Sequence, residues 1–377
     1  MNPYPITSPD PLGLPASVEF ILVFKVLGFV LHVIPMNIFY VGVPLSIMLA
    51  AFGRGNARRI GLRLIRPMPI VIALGVNFGI VPLLFTQVLL YPHYYTAGIL
   101  IAWPWLSVIV LLLLAYYGVY LYSYQARKES LTALGYVAGW MSGLFFIVIG
   151  FLFSNNFSLM TNADQWLRIY AQSNDAGAVT GLALNTGDPT LIPRCLLMIG
   201  IAITTTAVWL LIDNQFFSPR ESEEYRKFLP GFSLILYSIG IVWMGVAGAW
   251  YILKALPHEI YDLAMNTPWV KVSFGIAGFS ALVPWLWILL KRKSMNRFEV
   301  WVAVILQMVV IVSNAISRQW VQVAEIERTM LLHRDPVNLQ WSSIIVFLLL
   351  LTCGVLTIVW MVRRILAVSH DQPVVDG

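Results

Sequence analysis

The sequence predicts an all-α, polytopic membrane bundle of about nine transmembrane helices, and three observations carry that prediction. Hydrophobic residues fill 59% of the 377 positions while Asp, Glu, Lys and Arg fill only 11%, where soluble domains carry roughly 25%. Mean hydropathy is +0.78. Nine apolar runs are long enough to cross a hydrocarbon core of about 30 Å, which takes about 20 helical residues each. A soluble enzyme, a nucleic-acid reader and a disordered tail protein are excluded. The two cysteines, Cys195 and Cys353, sit in or beside apolar runs, so no disulfide framework is implied. No C-x-x-C-H motif offers covalent attachment to a c-type haem.

The runs are expected near 18–52, 69–91, 98–124, 131–154, 192–213, 230–254, 269–290, 299–318 and 342–363. The first segment, Met1 to Phe20, has no Lys or Arg and five prolines by Pro15; lacking a basic n-region it does not read as a removable signal peptide. Breakers separate the runs: Gly53-Arg54-Gly55-Asn56, Tyr91-Pro92, Ser218-Pro219-Arg220 and Asn266-Thr267-Pro268. The longest connector, about 155–191, is rich in Asn, Asp and Gly and is expected as an exposed loop. The whole chain reads as a single membrane domain, with 18–154 as a first four-helix bundle, 192–318 as a second and 342–363 as a ninth helix.

Charge orients the helices. Arg54, Arg58, Arg59, Arg63 and Arg66 fill the first connector, Arg127 and Lys128 the third, and Arg220, Arg226 and Lys227 the fifth. Lys291, Arg292, Lys293 and Arg297 fill the seventh, and Arg363 and Arg364 follow the ninth run. With nine crossings all sixteen lie on one side, so the net charge of +6 reports topology and not nucleic acid. The positive-inside rule then places the N-terminus outside and the C-terminus in the cytoplasm.

Ionisable side chains within membrane runs are costly and are functional candidates by default. Lys25, His32, Lys271 and Arg318 qualify, with Arg194 just outside the fifth run, and this topology assigns all five to the outer half. Such a cationic cluster would hold haem propionates or polarise a quinone carbonyl; the plain alternative is snorkelling of the long basic chains to headgroups. His32, in Leu31-His32-Val33-Ile34-Pro35, is the sharpest candidate. A neutral imidazole there suits axial haem ligation, against the alternative of a histidine hydrogen-bonded to a neighbouring helix. Lys25, seven residues earlier, shares its helical face. His93, in Tyr91-Pro92-His93-Tyr94-Tyr95, reads as an aromatic-belt residue. The carboxylates Glu19, Asp213, Glu259, Glu299 and Glu325 fall at helix ends or in loops. Gly75-Val76-Asn77-Phe78-Gly79-Ile80-Val81-Pro82 is either a breakable helix or a proline kink with close helix packing.

Several of these segments together resemble the quinol-oxidising subunit I of cytochrome bd oxidases. The resemblance rests on Leu31-His32-Val33-Ile34-Pro35, on Gly75-Val76-Asn77-Phe78-Gly79 followed by Phe85-Thr86-Gln87 and Tyr94-Tyr95, and on Asp188-Pro189 with Arg194. It extends to Trp269 with Lys271 and to Ser317-Arg318-Gln319-Trp320. It spans most of the chain and implies nine helices with an outside N-terminus.

Departures from the family shape the expected function. The family's low-spin haem takes a His and a Met where this chain has about Leu197, next to Met198, and Ser273. Its oxygen site uses carboxylates where the third run has none and the eighth offers Asn314 or Ala315. The connector that binds quinol in the family is here only about Lys254 to Pro268. The resemblance therefore implies a bd-like electron-transfer subunit of the bacterial inner membrane that is no terminal oxygen reductase. It would pass electrons between the quinone pool and a periplasmic partner, a multihaem c-type cytochrome. His32 would ligate a b-type haem, which would be either five-coordinate or completed by Met198, and Lys25, Lys271 and Arg318 would hold propionates or the quinone headgroup. The alternative expectation is a haem-free membrane scaffold within a larger respiratory complex.

Overall fold

The computed structural model describes residues 10–218 and 221–371. Nine helices among them are long and apolar enough to span a membrane. The chain is a polytopic helical bundle with almost no strand. The prolines of the first nine residues and Arg220 lie outside the described residues.

Helix α1, Val18–Phe52, starts where the Ser17 hydroxyl accepts from the Phe20 backbone N–H at 3.3 Å. It continues through Pro35 and Pro44 for 35 residues, about 50 Å at 1.5 Å per residue. Helix α2, Gly55–Leu64, is amphipathic and buries Ile60, Gly61 and Leu64 against the bundle. Helix α3, Met68–Leu89, holds Pro82 inside and is followed by a short helix, α4, Tyr91–Leu100. The third span is thus α5, Ala102–Arg127, and not a run from 98. Helix α6, Ala133–Thr161, reaches a full seven residues past the expected end at 154.

That extension corrects the reading of 155–191 as exposed loop. Asn155, Asn156 and Ser158 are polar yet fully buried on the last turns of α6, where Asn185 of the connector donates to Asn155 at 3.0 Å and to Ser158 at 3.2 Å. The connector proper folds as α7, Asp164–Ser173, and a two-residue hairpin of β1, Asn174–Asp175, and β2, Ala178–Val179, paired antiparallel.

The fifth span is α8, Leu191–Ile212, extended by a π-helical turn, Asp213–Phe217. The sixth is α9, Glu223–Trp250, extended by another, Tyr251–Ala255. After α10, His258–Asn266, the seventh span comes in two pieces, α11, Pro268–Phe279, and α12, Leu282–Lys291. The break falls just before Pro284, whose missing N–H leaves the Ser280 carbonyl without its helical donor. Helix α13, Arg297–Glu327, opens with a capping box of Asn296 and Glu299 and continues nine residues beyond the expected end at 318. Helix α14, Trp341–Asp371, presents no buried residue over 341–361 and meets the bundle edge-on through Phe347 against Phe24 and Phe85.

Two ends of the bundle differ in chemistry. At the connector end, residues 10–15 are strapped to the loop before α14: Leu14 donates to the Pro336 carbonyl at 2.7 Å, and Asn338 donates back to Leu14 at 2.9 Å. Gly13 makes the strap possible, because its φ is +68° and a Cβ there would lie 2.3 Å from the Pro336 oxygen. At the arginine end, Arg63 grips Asp213 through two bonds at 3.1 and 3.0 Å and also donates to Glu221 at 2.9 Å. Arg59 reaches the same Glu221, so α2 is clamped to the π-helical turn of α8 and the connector after it. Between the ends, Asn37, Thr204, Thr205, Gln307 and Tyr237 form a buried hydrogen-bonded chain across α1, α8, α13 and α9.

The clamp has a pH signature. Burial raises the Glu221 carboxyl, but hydrogen bonds and charge from Arg59 and Arg63 outweigh it and hold the group below the ordinary carboxylate range. A depressed folded-state value gives stability that is complete above the unfolded value of about 4.3 and fades as pH falls through the folded one. Arg63→Ala is expected to destabilise the detergent-solubilised protein by roughly 2 kcal/mol at neutral pH, with a shallower acid loss than wild type. Melting temperature against pH reads both.

Candidate functional site

Two helical stripes meet at the connector end. Lys25, Phe29 and His32 lie at i, i+4 and i+7 on α1, and Arg318, Gln322 and Glu325 do the same on α13. Lys25 is 3% exposed, and its ammonium donates to the Gln322 side-chain carbonyl. The Arg318 guanidinium stands 4.5 Å from the centre of the Phe29 ring and 5.6 Å from that of Phe157 on α6. Arg194, in the first turn of α8, donates to Glu325 Oε1 at 3.2 Å and lies 5.6 Å from the Tyr251 ring centre. Arg318 is within electrostatic reach of Lys25, His32, Arg194 and Glu325.

These positions change the cluster expected from sequence. Lys25 does not snorkel; its head is turned inward, because the α13 amide offers an acceptor where lipid offers none. Arg194 likewise ends on a carboxylate. Lys271 is exposed on α11 and joins none of these contacts, so the third cation of the cluster is Arg194. Glu325 lies at a helix end, in the last turn of α13, and is buried there.

His32 faces α3. Its Nδ1 lies 2.7 Å from the Gly75 carbonyl, which only a protonated nitrogen can satisfy, so Nδ1–H donates and Nε2 keeps its lone pair. Nε2 has no hydrogen-bond partner among the described residues, and the residue is half-buried. The ring rests on Gly79, where a Cβ would come within 2.9 Å of it. Gly28 meets Pro82 and Val81 in the same seam, and Gly75 meets Phe39. The Gly75–Pro82 stretch is thus a continuous helix with small residues at a close helix contact, not a broken one.

Met198 packs with Leu197 against an apolar cluster that includes Val30, Val33, Ile201 and Met244. The same cluster takes in Phe29 and Met36 of α1, which lie about 60° and 40° around the helix from His32. Ser273 bonds Ser317 at 3.0 Å, and Asn314 donates to the Ala277 carbonyl at 3.2 Å; both positions join α11 to α13.

His93 is fully buried, which corrects the reading of it as a belt residue. Its Nε2 bonds Thr329 at 2.9 Å, and its ring meets Trp166 edge-on at 5.2 Å, because α7 folds back over α4. Burial, then the Arg334 charge, lower its pKa to about 4.

The site is also rich in polar atoms that lack partners among the described residues. Asn155 Nδ2, both amide atoms of Asn156, Arg194 Nε, Gln319 Nε2 and Glu325 Oε2 are buried and unbonded. Buried polar atoms are satisfied in the great majority of cases, so this density marks a place for water or a bound group. Sequence reasoning missed Gln322, Glu325 and the asparagine pair. The signal for the first two was the Arg318, Gln322, Glu325 spacing, which the early end drawn at 318 cut off.

No family model and no curated protein matches the chain.

The haem expectation meets two tests in this geometry. His32 fits a single axial ligand, since Nδ1–H donation to a carbonyl is the arrangement that orients ligating imidazoles. The cations fit carboxylates at one end of such a group.

Two outcomes follow. Arg194→Met is expected to cost about 3–5 kcal/mol by leaving Glu325 buried and unpaired, and Arg194→Met with Glu325→Leu should recover most of it, read by thermal unfolding. For His93, a folded value near 4 against about 6.5 unfolded means stability is complete above pH 6.5 and drains as pH falls toward 4. His93→Gln should flatten the melting temperature across that window.

Proposed function

We propose that this chain is a bd-like electron-transfer subunit of the bacterial cytoplasmic membrane, with its N-terminus outside. It passes electrons between the quinone pool and a periplasmic multihaem c-type cytochrome, and it is not a terminal oxygen reductase. The observation that carries this reading is the excess of positive charge at the connector end. Lys25, Arg194 and Arg318 converge there, and the carboxylates that face them among the described residues are Glu325 and, beside Arg194, Asp188. An ionised group transferred into a low-dielectric interior costs several kcal/mol unless compensated. The one cation in excess of the carboxylates therefore calls for an anionic or electron-rich guest, and a haem propionate or a quinone oxygen supplies that chemistry.

A b-type haem would be held by His32 through Nε2 and would supply one-electron transfer between quinol and the partner. Arg318 and Lys25 would orient its carboxylates, and the aromatic rings of Phe29 and Phe157 would exclude water. The chain would then serve as the quinol-dehydrogenating part of a larger assembly.

One observation favours a second reading, a haem-free scaffold of a respiratory complex. The His32 ring is already packed on Gly79 and bonded to Gly75, as a histidine serving helix packing alone would be.

A reduced-minus-oxidised visible spectrum of the purified protein separates the two. A b-type α band that vanishes in His32→Ala, with the protein still inserted, is the expected result. Equal haem in wild type and His32→Ala, or a featureless spectrum, defeats the haem reading. Given a reduced quinol, the purified chain should consume oxygen no faster than the quinol autoxidises, because α5 has no carboxylate to serve an oxygen site. Cyanide-sensitive uptake would overturn that expectation.

A further inference from the structure

We propose that Glu325 is the inner end of a proton outlet that opens at the connector end of the bundle and discharges the protons of the quinol. The use assigned to the outlet rests on the quinol-oxidising reading above.

A hollow of about 80 Å³ is lined by Thr161, Asn162, Ala163, Asp164, Glu325, Arg328 and Thr329. A water needs at least about 10–15 Å³ of such space together with polar partners, so the hollow takes a few waters. Its outer rim is exposed: Asp164 opens α7, and Arg328 reaches Glu259 at 3.2 Å. Its inner wall is Glu325, whose side chain is 8% exposed. Glu325 divides its two oxygens between tasks. Oε1 takes the bond from Arg194, while Oε2 is buried without a well-formed hydrogen bond among the described residues, with the Thr161 hydroxyl beside the carboxylate. A carboxylate oxygen left bare in an apolar bundle is expensive, and water in the adjoining hollow is the partner the geometry offers.

Inward from Glu325 along α13 come Gln322, which holds Lys25, and then Arg318, within electrostatic reach of His32, so Glu325 stands between these cations and the aqueous rim. Intramembrane carboxylates with this placement are the usual stations of proton paths. The groups facing Glu325 are Arg194 and Asp188 from α8 and the loop before it, and Tyr251 from α9. Thr161 faces it from α6, and Arg318 and Arg328 from its own helix. Oxidation of one quinol breaks two O–H bonds, sends two electrons to the haem-bearing acceptor and frees two protons. Each proton in turn forms an O–H bond at Oε2 while Arg194 holds Oε1, and that bond breaks as the proton passes to water in the hollow.

The test is infrared difference spectroscopy of the full chain in sealed vesicles of known orientation, titrated separately on each side between about pH 5 and 9. The outlet expects a protonated-carboxyl stretch that shifts in D₂O, follows the pH of the side holding the connector and is absent in Glu325→Gln. Glu325→Asp, which keeps the charge, should retain a shifted band. A spectrum identical in wild type and Glu325→Gln, or a band that follows the opposite side, overturns the outlet. Where quinol oxidation is measurable, Glu325→Gln should lower kcat roughly 100-fold with KM little changed, and an unchanged kcat overturns the assignment. A wild-type band that behaves as expected in a protein that oxidises no quinol keeps the outlet and removes the quinol reading, so the two fail separately.

Discussion

Helix α1 has to satisfy two neighbours of opposite character, and the remaining helices are arranged by how it does so. On one flank Gly28, His32 and Phe39 meet Pro82, Gly79 and Gly75 of α3, a seam in which small residues let backbones approach. On the other, Asn37 donates to Thr205 of α8 while Thr206 donates to the Asn37 carbonyl. Lipid tails are as apolar as the helices, so apolar burial gives helices little reason to choose one another. Close packing and hydrogen bonds decide instead, and α1 uses one on each side. Helix α1 thus packs on both α3 and α8, and the Gln307 chain carries its α8 flank on to α13 and α9.

Charge placement follows from this arrangement. With α1 fixed between α3 and α8, its connector-end stripe faces α13, and Lys25 can be buried only because Gln322 stands one helix away to receive its proton donors. Arg194 is held in the same manner by Glu325, and the π-helical turn that begins at Tyr251 brings an aromatic face beside it. A similar turn at Asp213–Phe217 offers both a carboxylate and a carbonyl to Arg63. In both places a widened turn presents partners to an arginine that a regular helix end would aim elsewhere.

Span number, sidedness of the basic residues and the all-α class were legible because they depend on summed hydropathy and loop charge, which tolerate errors of several residues. The ends of spans were less legible. Runs were closed at the first polar residue, yet Asn155, Asn156, Gln322 and Glu325 are polar residues inside helices, and Asn155, Gln322 and Glu325 meet partners distant in sequence. Lys271 and Lys25 were indistinguishable as single basic residues in apolar runs. What separates them is rotation about the helix axis, which places Lys25 against α13 and leaves Lys271 exposed. His93 was misplaced for a related reason: nothing local to Tyr91–Tyr95 announces that α7 will cover it.

The positions at which the bd resemblance expects ligands, and this chain departs, are employed in holding helices together. Ser273 bonds Ser317 and Asn314 bonds the Ala277 carbonyl, so α11 and α13 are joined by hydrogen bonds where a methionine ligand and a carboxylate are expected. Leu197 lies in the apolar cluster, with its tip 3.7 Å from where a Gly248 Cβ would sit. A ligand restored at any one of these places would have to displace a packing contact as well as recruit a cofactor. His32 is different, since its helix-holding bond uses Nδ1 and leaves Nε2 unspent. The redox reading therefore rests on one imidazole and the cations beside it.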